Sequence, residues 1–312
     1  MPPWEKPEDG RVALPVVKRI VVFGSISYDR TLHLPRLPEA GRGVMASAVT
    51  HGVGGKGANV AVAAARAGGR VSLVSAVGHD GDRALRALQE AGVDTARVAR
   101  MSGLATAEVV IHLAADQREF GVTVPGADRH VDRNAMQSAI AAFRGGHIGY
   151  LDGMINDGAY VIREMARRGA ALVVNPSPLH PDVEAWPMQQ ASLIVLNHDE
   201  ARMLVHEVDP PRQLDALRAR YPGPAIVLTL GAHGAWWSHR DRREHVPADV
   251  ARAVDSTAAG DTFSGYLLAG LAAGQAPPTA MRLAARAAAV TVSRHGSLHS
   301  IPAVGELPSV DR

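Results

Sequence analysis

The chain has 312 residues, 33 lysines and arginines against 31 aspartates and glutamates, and no cysteine, which excludes disulfide frameworks, thiolate zinc sites and cysteine nucleophiles. A formal net charge of +2, with arginines spread evenly and few aromatic residues, argues against a nucleic-acid groove. No apolar run approaches the roughly 18 residues of a membrane span, and the N-terminus, with Glu5, Glu8 and Asp9, lacks the make-up of a signal peptide, so a cytoplasmic location is expected.

Residues 1–18 read as a partly flexible leader, and residues 19–312 as one large domain. Residues 19–23 form a β-branched run ending at Gly24, a buried first strand that feeds a loop carrying Ser25, Ser27 and Asp29. Two short strand-like pieces, 31–34 and 45–50, follow among prolines and glycines; with a hairpin predicted over 107–113 and 119–124, they make a small sheet apart from the main one. Glycines then lead into a helix over 60–67. Strand 71–75 and helix 82–90 come next, followed by strand 148–151, helix 159–168, strands 172–174 and 193–196, and helix 199–205. Strands at 225–230 and 235–239, a further one near 250–254, and helices at 260–273 and 279–294 complete the pattern. Such alternation implies a mostly parallel sheet covered by helices on both faces. Alanine richness reads as compositional bias, alanine being the best helix former.

The strongest local signal is Val254-Asp255-Ser256-Thr257-Ala258-Ala259-Gly260-Asp261-Thr262-Phe263, small residues running into a helix. Amides at a helix N-terminus lack intrahelical partners, so those of Ala258, Ala259 and Gly260 suit an anion. A carboxylate at Asp261, beside an anion site, suits proton removal from a hydroxyl that attacks phosphorus. The second signal is Gly52-Val53-Gly54-Gly55-Lys56-Gly57-Ala58-Asn59. It is neither a Walker A loop, which needs Ser or Thr after Gly-Lys, nor a dinucleotide fingerprint. Only Lys6, Lys18 and Lys56 are lysine in this arginine-rich chain, and one of them sits in this loop. The histidines are scattered without metal-ligand spacing, and Trp236-Trp237 reads as a strand pair with one ring on each face.

Together and in this order, the two signals resemble the two signatures of the ribokinase/PfkB family of sugar kinases. Gly24-Ser25-Ile26-Ser27-Tyr28-Asp29, Asn175-Pro176-Ser177-Pro178, Asn197-His198-Asp199-Glu200 and Thr229-Leu230-Gly231-Ala232-His233-Gly234 extend the resemblance over nearly the whole chain. It implies a ribokinase-like three-layer α/β/α sandwich with a small β-sheet lid, the lid strands coming from about 31–52 and 105–126. It implies ATP-dependent phosphorylation of the primary hydroxyl of a small neutral sugar, with Asp261 as catalytic base and Ala258, Ala259 and Gly260 as anion hole. D-ribose is the leading substrate; a fructokinase, a ribonucleoside kinase or a non-catalytic sugar-binding regulator are the alternatives. Ser27, Asp29, Gly54, Gly55, Lys56, Asn59 and Asp152 would contact the sugar, and Asn197, Thr229, Gly231, Gly234 and Gly260 the nucleotide. Glu200 would orient Mg²⁺ through water, and Asp255, Thr257, Thr291, Arg294, Gly296 and Ser300 would hold K⁺. Ser27 and Ala285 depart from the family pattern, at the sugar loop and near the adenine respectively. A homodimer through exposed lid strands is also expected.

Overall fold

A computed structural model describes residues 19–116 and 118–308; the leader expected over 1–18 lies outside them. The elements run β1 (Arg19–Phe23), β2 (Ser27–Leu34), β3 (Ala48–Gly54), α1 (Lys56–Arg66), β4 (Arg70–Gly78), α2 (Asp82–Glu90), β5 (Asp94–Met101), β6 (Ala107–Ala114), β7 (Glu119–Val124), α3 (Arg133–Ala141), β8 (Ile148–Asp152), α4 (Gly158–Arg167), β9 (Ala171–Asn175), α5 (Pro181–Glu184), β10 (Leu193–Asn197), α6 (His198–Val205), α7 (Pro210–Arg220), β11 (Ala225–Thr229), β12 (Ala235–His239), β13 (Arg242–Val246), α8 (Ala259–Ala272) and α9 (Pro277–Val292). The main sheet has the order β13-β12-β11-β10-β9-β8-β1-β4-β5, parallel from β11 to β5 and antiparallel at the β11-β12-β13 edge.

Side chains alternate across a strand, so each strand of this doubly covered sheet serves two cores. On β1, Ile20 and Val22 join a core built with α1, α2, α8 and α9, whereas Val21 and Phe23 join one built with α3, α4, α6 and α7. Trp236 and Trp237 obey the same rule, the first packing on one core and the second on the other. The expected three layers follow. A separate four-stranded sheet, β3-β2-β6-β7, forms the lid.

Several boundaries differ from the sequence reading. Strand β2 begins at Ser27, so Ser27 and Asp29 lie on a lid strand rather than a loop, and α1 begins at Lys56, which puts Lys56 and Asn59 in a helix first turn. The strand expected over 250–254 is absent. The hairpin partner of β12 is β13, and the amides of Val254 and Asp255 instead donate to the carbonyl of Val292 at the end of α9 (2.7 and 3.1 Å). With no ladder to join, residues 247–253 run without regular structure at the surface.

The contact that positions the site is α1 against α8. A Cβ built on Gly265 would lie 2.5 Å from the Ala63 Cβ and 2.6 Å from the Val60 carbonyl oxygen, so only glycine lets the helices meet this closely. Small residues at the crossing bring the two helix N-termini together.

Candidate active site

That approach places Asn59, in the first turn of α1, beside Asp261, in the first turn of α8: the Asn59 amide donates to Asp261 Oδ2 at 2.9 Å. Asn59 Oδ1 is buried and has no partner among the described residues. Two helix N-termini therefore converge on one point with a carboxylate at its centre.

The α8 terminus is entered through Ala258, whose φ of 62° is a left-handed conformation rare for a side chain with a Cβ. Of the expected anion-hole amides, that of Ala259 donates to the Ser256 carbonyl (3.2 Å), while those of Ala258 and Gly260, with that of Asp261, bond to no described residue. Three free donors thus face the helix mouth.

Lys56 sits half-buried at the first position of α1, where the helix dipole opposes a cation. Burial pulls its ammonium down, but the charges of Asp261, Glu200 and Asp152 outweigh that and hold it above the ordinary lysine range. Tyr150, fully buried in the middle of β8, is a neighbour the sequence reading missed. Burial first, then Asp261, Asp152 and Glu200, push its phenol far up, so it stays protonated.

Asp29 is held from two sides. Ser27 Oγ donates to its Oδ1 (2.9 Å) and Ser297 Oγ to its Oδ2 (2.8 Å). Burial raises the Asp29 carboxyl, the two serines draw it back down, and Asp261 adds to the rise. A Cβ on Gly54 would lie 2.0 Å from Asp29 Oδ2, so that glycine makes the space the carboxylate occupies. Ser297, 268 residues from Asp29, gave no local signal in the sequence. Asp152 is fully buried and its carboxylate accepts from four donors, the amide and hydroxyl of Ser25 and the amides of Met154 and Ile155 (2.8 to 3.2 Å). It fixes the turn after β1, so its side chain organises the site from beneath.

Two cavities flank the segment from Asp255 to Gly260. One, about 390 Å³, lies under the lid and is lined by Asp29, Thr31, His33, Ile111, Asp255 and Ser297 among others. The other, about 340 Å³, lies on the far side and is lined by Thr229, Gly231, Gly234, Ser256, Ala259 and Gly260 among others. Successive residues of this segment thus serve opposite chambers, and the free amides of α8 stand between them. Histidines 33, 51, 295 and 299 rim the lid-side cavity, although they looked scattered in the sequence.

The remaining expected residues fall into two groups. Asn197 and Glu200 cap α6 reciprocally: Asn197 Oδ1 accepts from the Glu200 amide (2.8 Å) and Glu200 Oε2 from the Asn197 amide (2.9 Å). Asp255 accepts from the amides of Thr257 (2.9 Å) and Gly296 (2.8 Å), tying the α8 approach to the loop after α9. The carbonyls of Asp255, Thr257, Arg294 and Gly296 accept no hydrogen bond among the described residues. Thr291 Oγ1 donates within α9, and Ser300 Oγ donates to the Ser297 carbonyl.

A model of the pfkB family carbohydrate kinases matches residues 17–304. The chain belongs to this family. It is 30% identical over 308 residues to a ribokinase of Schizosaccharomyces pombe, covering 92% of this chain and 96% of that protein. With a ribokinase of Haemophilus influenzae it shares 28% identity over 298 residues, covering 91% and 95% respectively. The crystal structure of a Cryptococcus neoformans ribokinase in complex with ADP superposes with a TM-score of 0.82 at 26% identity, covering 93% of this chain and 98% of that one. The chain is a carbohydrate kinase, a phosphotransferase acting on an alcohol group, with the ribokinase-like fold.

Proposed function

We propose that this kinase transfers the γ-phosphoryl group of ATP to the primary hydroxyl of D-ribose. The observation that carries the reading is the placement of Asp261 and the free amides of α8 between two cavities of substrate size, one walled by Asp29 and Ser297, the other by Thr229, Gly231 and Gly234. The similarity to ribokinases over nine-tenths of the chain supports ribose as the sugar and ATP as the donor.

Asp261, its carboxylate oriented by Asn59, takes the proton of the attacking hydroxyl. The amides of Ala258 and Gly260, with the positive end of α8, receive the charge on the transferred group, and Lys56 balances it from α1. Asp29, held by Ser27 and Ser297, accepts from the sugar hydroxyls. Gly54 makes room for the Asp29 carboxylate and Gly55 for the backbone of residues 25–27, so the two glycines shape the site that presents Asp29 to the sugar.

Among the described residues no group of three or more His, Asp or Glu side chains could hold a metal ion. Glu200 spends one carboxylate oxygen on its helix cap and keeps the other. That fits Mg²⁺, which keeps most of its waters and binds chiefly to the substrate phosphates, with Glu200 reaching it through water. Bound there, the ion would neutralise phosphate charge. The four carbonyls without hydrogen bonds at Asp255, Thr257, Arg294 and Gly296 fit a monovalent cation such as K⁺.

The outer lid face presents Val49, Phe120, Val122 and Val124, each between 41% and 47% exposed, and we assign a second copy of this chain as its cover, forming a homodimer. Light scattering that gives a monomer at all concentrations refutes this. No described helix is long and apolar enough to cross a membrane, and ATP consumption suits a cytoplasmic enzyme.

One observation favours a ribonucleoside as an alternative acceptor: the lid-side cavity extends past Asp29 to Ile111, Leu113 and flat histidine rings, which suit a base. A coupled ADP-release assay over ribose, fructose, adenosine, inosine and sugar phosphates decides. Ribose turning over best supports the reading, and turnover confined to nucleosides overturns it. Asp261→Asn should retain nucleotide binding and lose roughly 10²- to 10⁴-fold in kcat; near-normal turnover refutes the base assignment.

A further inference from the structure

We infer that the base end of the nucleotide cavity selects its occupant by shape and apolar contact alone, so that the enzyme accepts purine nucleoside triphosphates with little regard to the substituents on the purine. This rests on the nucleotide reading above and specifies its donor class. One end of the cavity is set by Gly260, whose free amide marks the phosphate position. Away from it the cavity lies between α9, which presents Ala285, Ala288 and Ala289, and the irregular segment carrying Ala251 and Ala253. None of these side chains can donate or accept a hydrogen bond.

The cavity's polar side chains are engaged elsewhere or lie at the wrong end. Thr229 Oγ1 donates to the Leu196 carbonyl (3.3 Å). Asp249 is exposed, with its carboxylate 4.0 Å from the Arg286 guanidinium. Ser256 borders the α8 terminus, beside the phosphate position. The remaining polar groups near the base are backbone atoms of residues 247–253, at the surface and open to water.

That arrangement limits discrimination. A site rejects the wrong base strongly, by roughly 10⁴- to 10⁵-fold, when the mismatch leaves a buried donor or acceptor unpaired; an apolar pocket manages about 10- to 200-fold, and that for occupants that differ in size by a methylene. Here a purine with a different edge leaves unpaired only backbone groups that water can reach, so the mismatch costs little. Adenine, guanine and hypoxanthine offer the alanine walls nearly the same flat surface, whereas a pyrimidine covers less of it.

The test is kcat/KM for ATP, GTP, ITP, CTP and UTP with saturating sugar. Expected values for the three purine donors fall within about tenfold of one another, with CTP and UTP lower. A preference for ATP over GTP or ITP beyond tenfold, or pyrimidines equal to purines, overturns the proposal. If no donor supports turnover, the kinase reading fails instead. Calorimetric titration of ADP, GDP and IDP then decides this one: affinities within tenfold support it, and binding of ADP alone, or of none of the three, overturns it.

Discussion

Asp128, in the turn that leads from lid strand β7 to α3, is a buried acid that the proposed chemistry does not use. Its side chain is 1% exposed; Oδ1 accepts from the Gly126 amide (3.2 Å) and Oδ2 has no partner among the described residues. Burial, with a contribution from the Asp152 charge, raises its carboxyl from 3.8 to about 6 against the opposing effects of the Gly126 amide and Arg129. A folded pKa above the unfolded one means that the neutral acid stabilises the fold. That contribution is complete below pH 3.8 and disappears as pH rises through 6. Two pKa units correspond to about 3 kcal/mol over the whole range, of which about 2 kcal/mol falls between pH 4 and pH 7.5. Asp128→Asn cannot ionise, so its stability relative to the parent should rise by about 2 kcal/mol across that window. The assay is urea unfolding of both proteins at a series of pH values, read as the difference at each pH, which cancels every other titrating group and the amide's own contacts. A difference constant to within about 0.5 kcal/mol would refute a raised Asp128.

Three further outcomes follow from the site. Lys56→Arg should lower kcat/KM at least tenfold, because a compact ammonium at a crowded helix terminus is replaced by a broad guanidinium; unchanged steady-state kinetics refute the assignment. Ser297→Ala removes a hydrogen bond that favours ionised Asp29, so the Asp29 carboxyl should rise further and the acid limb of kcat/KM for the sugar should move to higher pH. An acid limb that stays put or moves down counts against Asp29 as a sugar ligand. Gly265→Ala forces α1 and α8 apart. It should cost about 1 to 3 kcal/mol in unfolding free energy and lower kcat, since Lys56 and Asn59 move away from Asp261; an unchanged thermal midpoint refutes the close-packing account.

The main sheet was largely legible because its interior strands are short β-branched runs and its helices have clear stops, as at helix 82–90, which matches α2 residue for residue. What escaped the sequence has physical reasons. Strand β5 is half-exposed and carries Arg97 and Arg100, so its pattern is not that of a buried strand. Helix α7, for which the sequence reading has no element, begins with two prolines, and its start shows only in the Asp209 side chain capping the Arg212 amide. The α8 sequence gave the small residues and Asp261, but the expected strand before it reflected the valines at 250 and 254, one fully exposed. The pairs that shape the site, Ser297 with Asp29 and Asn59 with Asp261, span 268 and 202 residues and exist only once the sheet is assembled.

The alanines show how a composition can mislead. Read as bias, they carried no position, because alanine suits any helix. In the fold, Ala63 and Ala64 meet Gly265 where α1 crosses α8, and Ala285, Ala288 and Ala289 line the cavity proposed for the nucleotide. A larger residue at the first set would separate Asn59 from Asp261, and one at the second would fill the space for the base. Small side chains therefore do two different jobs, bringing two helix N-termini onto one carboxylate and leaving a flat, unspecific chamber beside it. The first demands close packing and tolerates no added methyl; the second demands only empty space, so a polar side chain introduced at Ala288 should be carried by the fold while changing which bases bind.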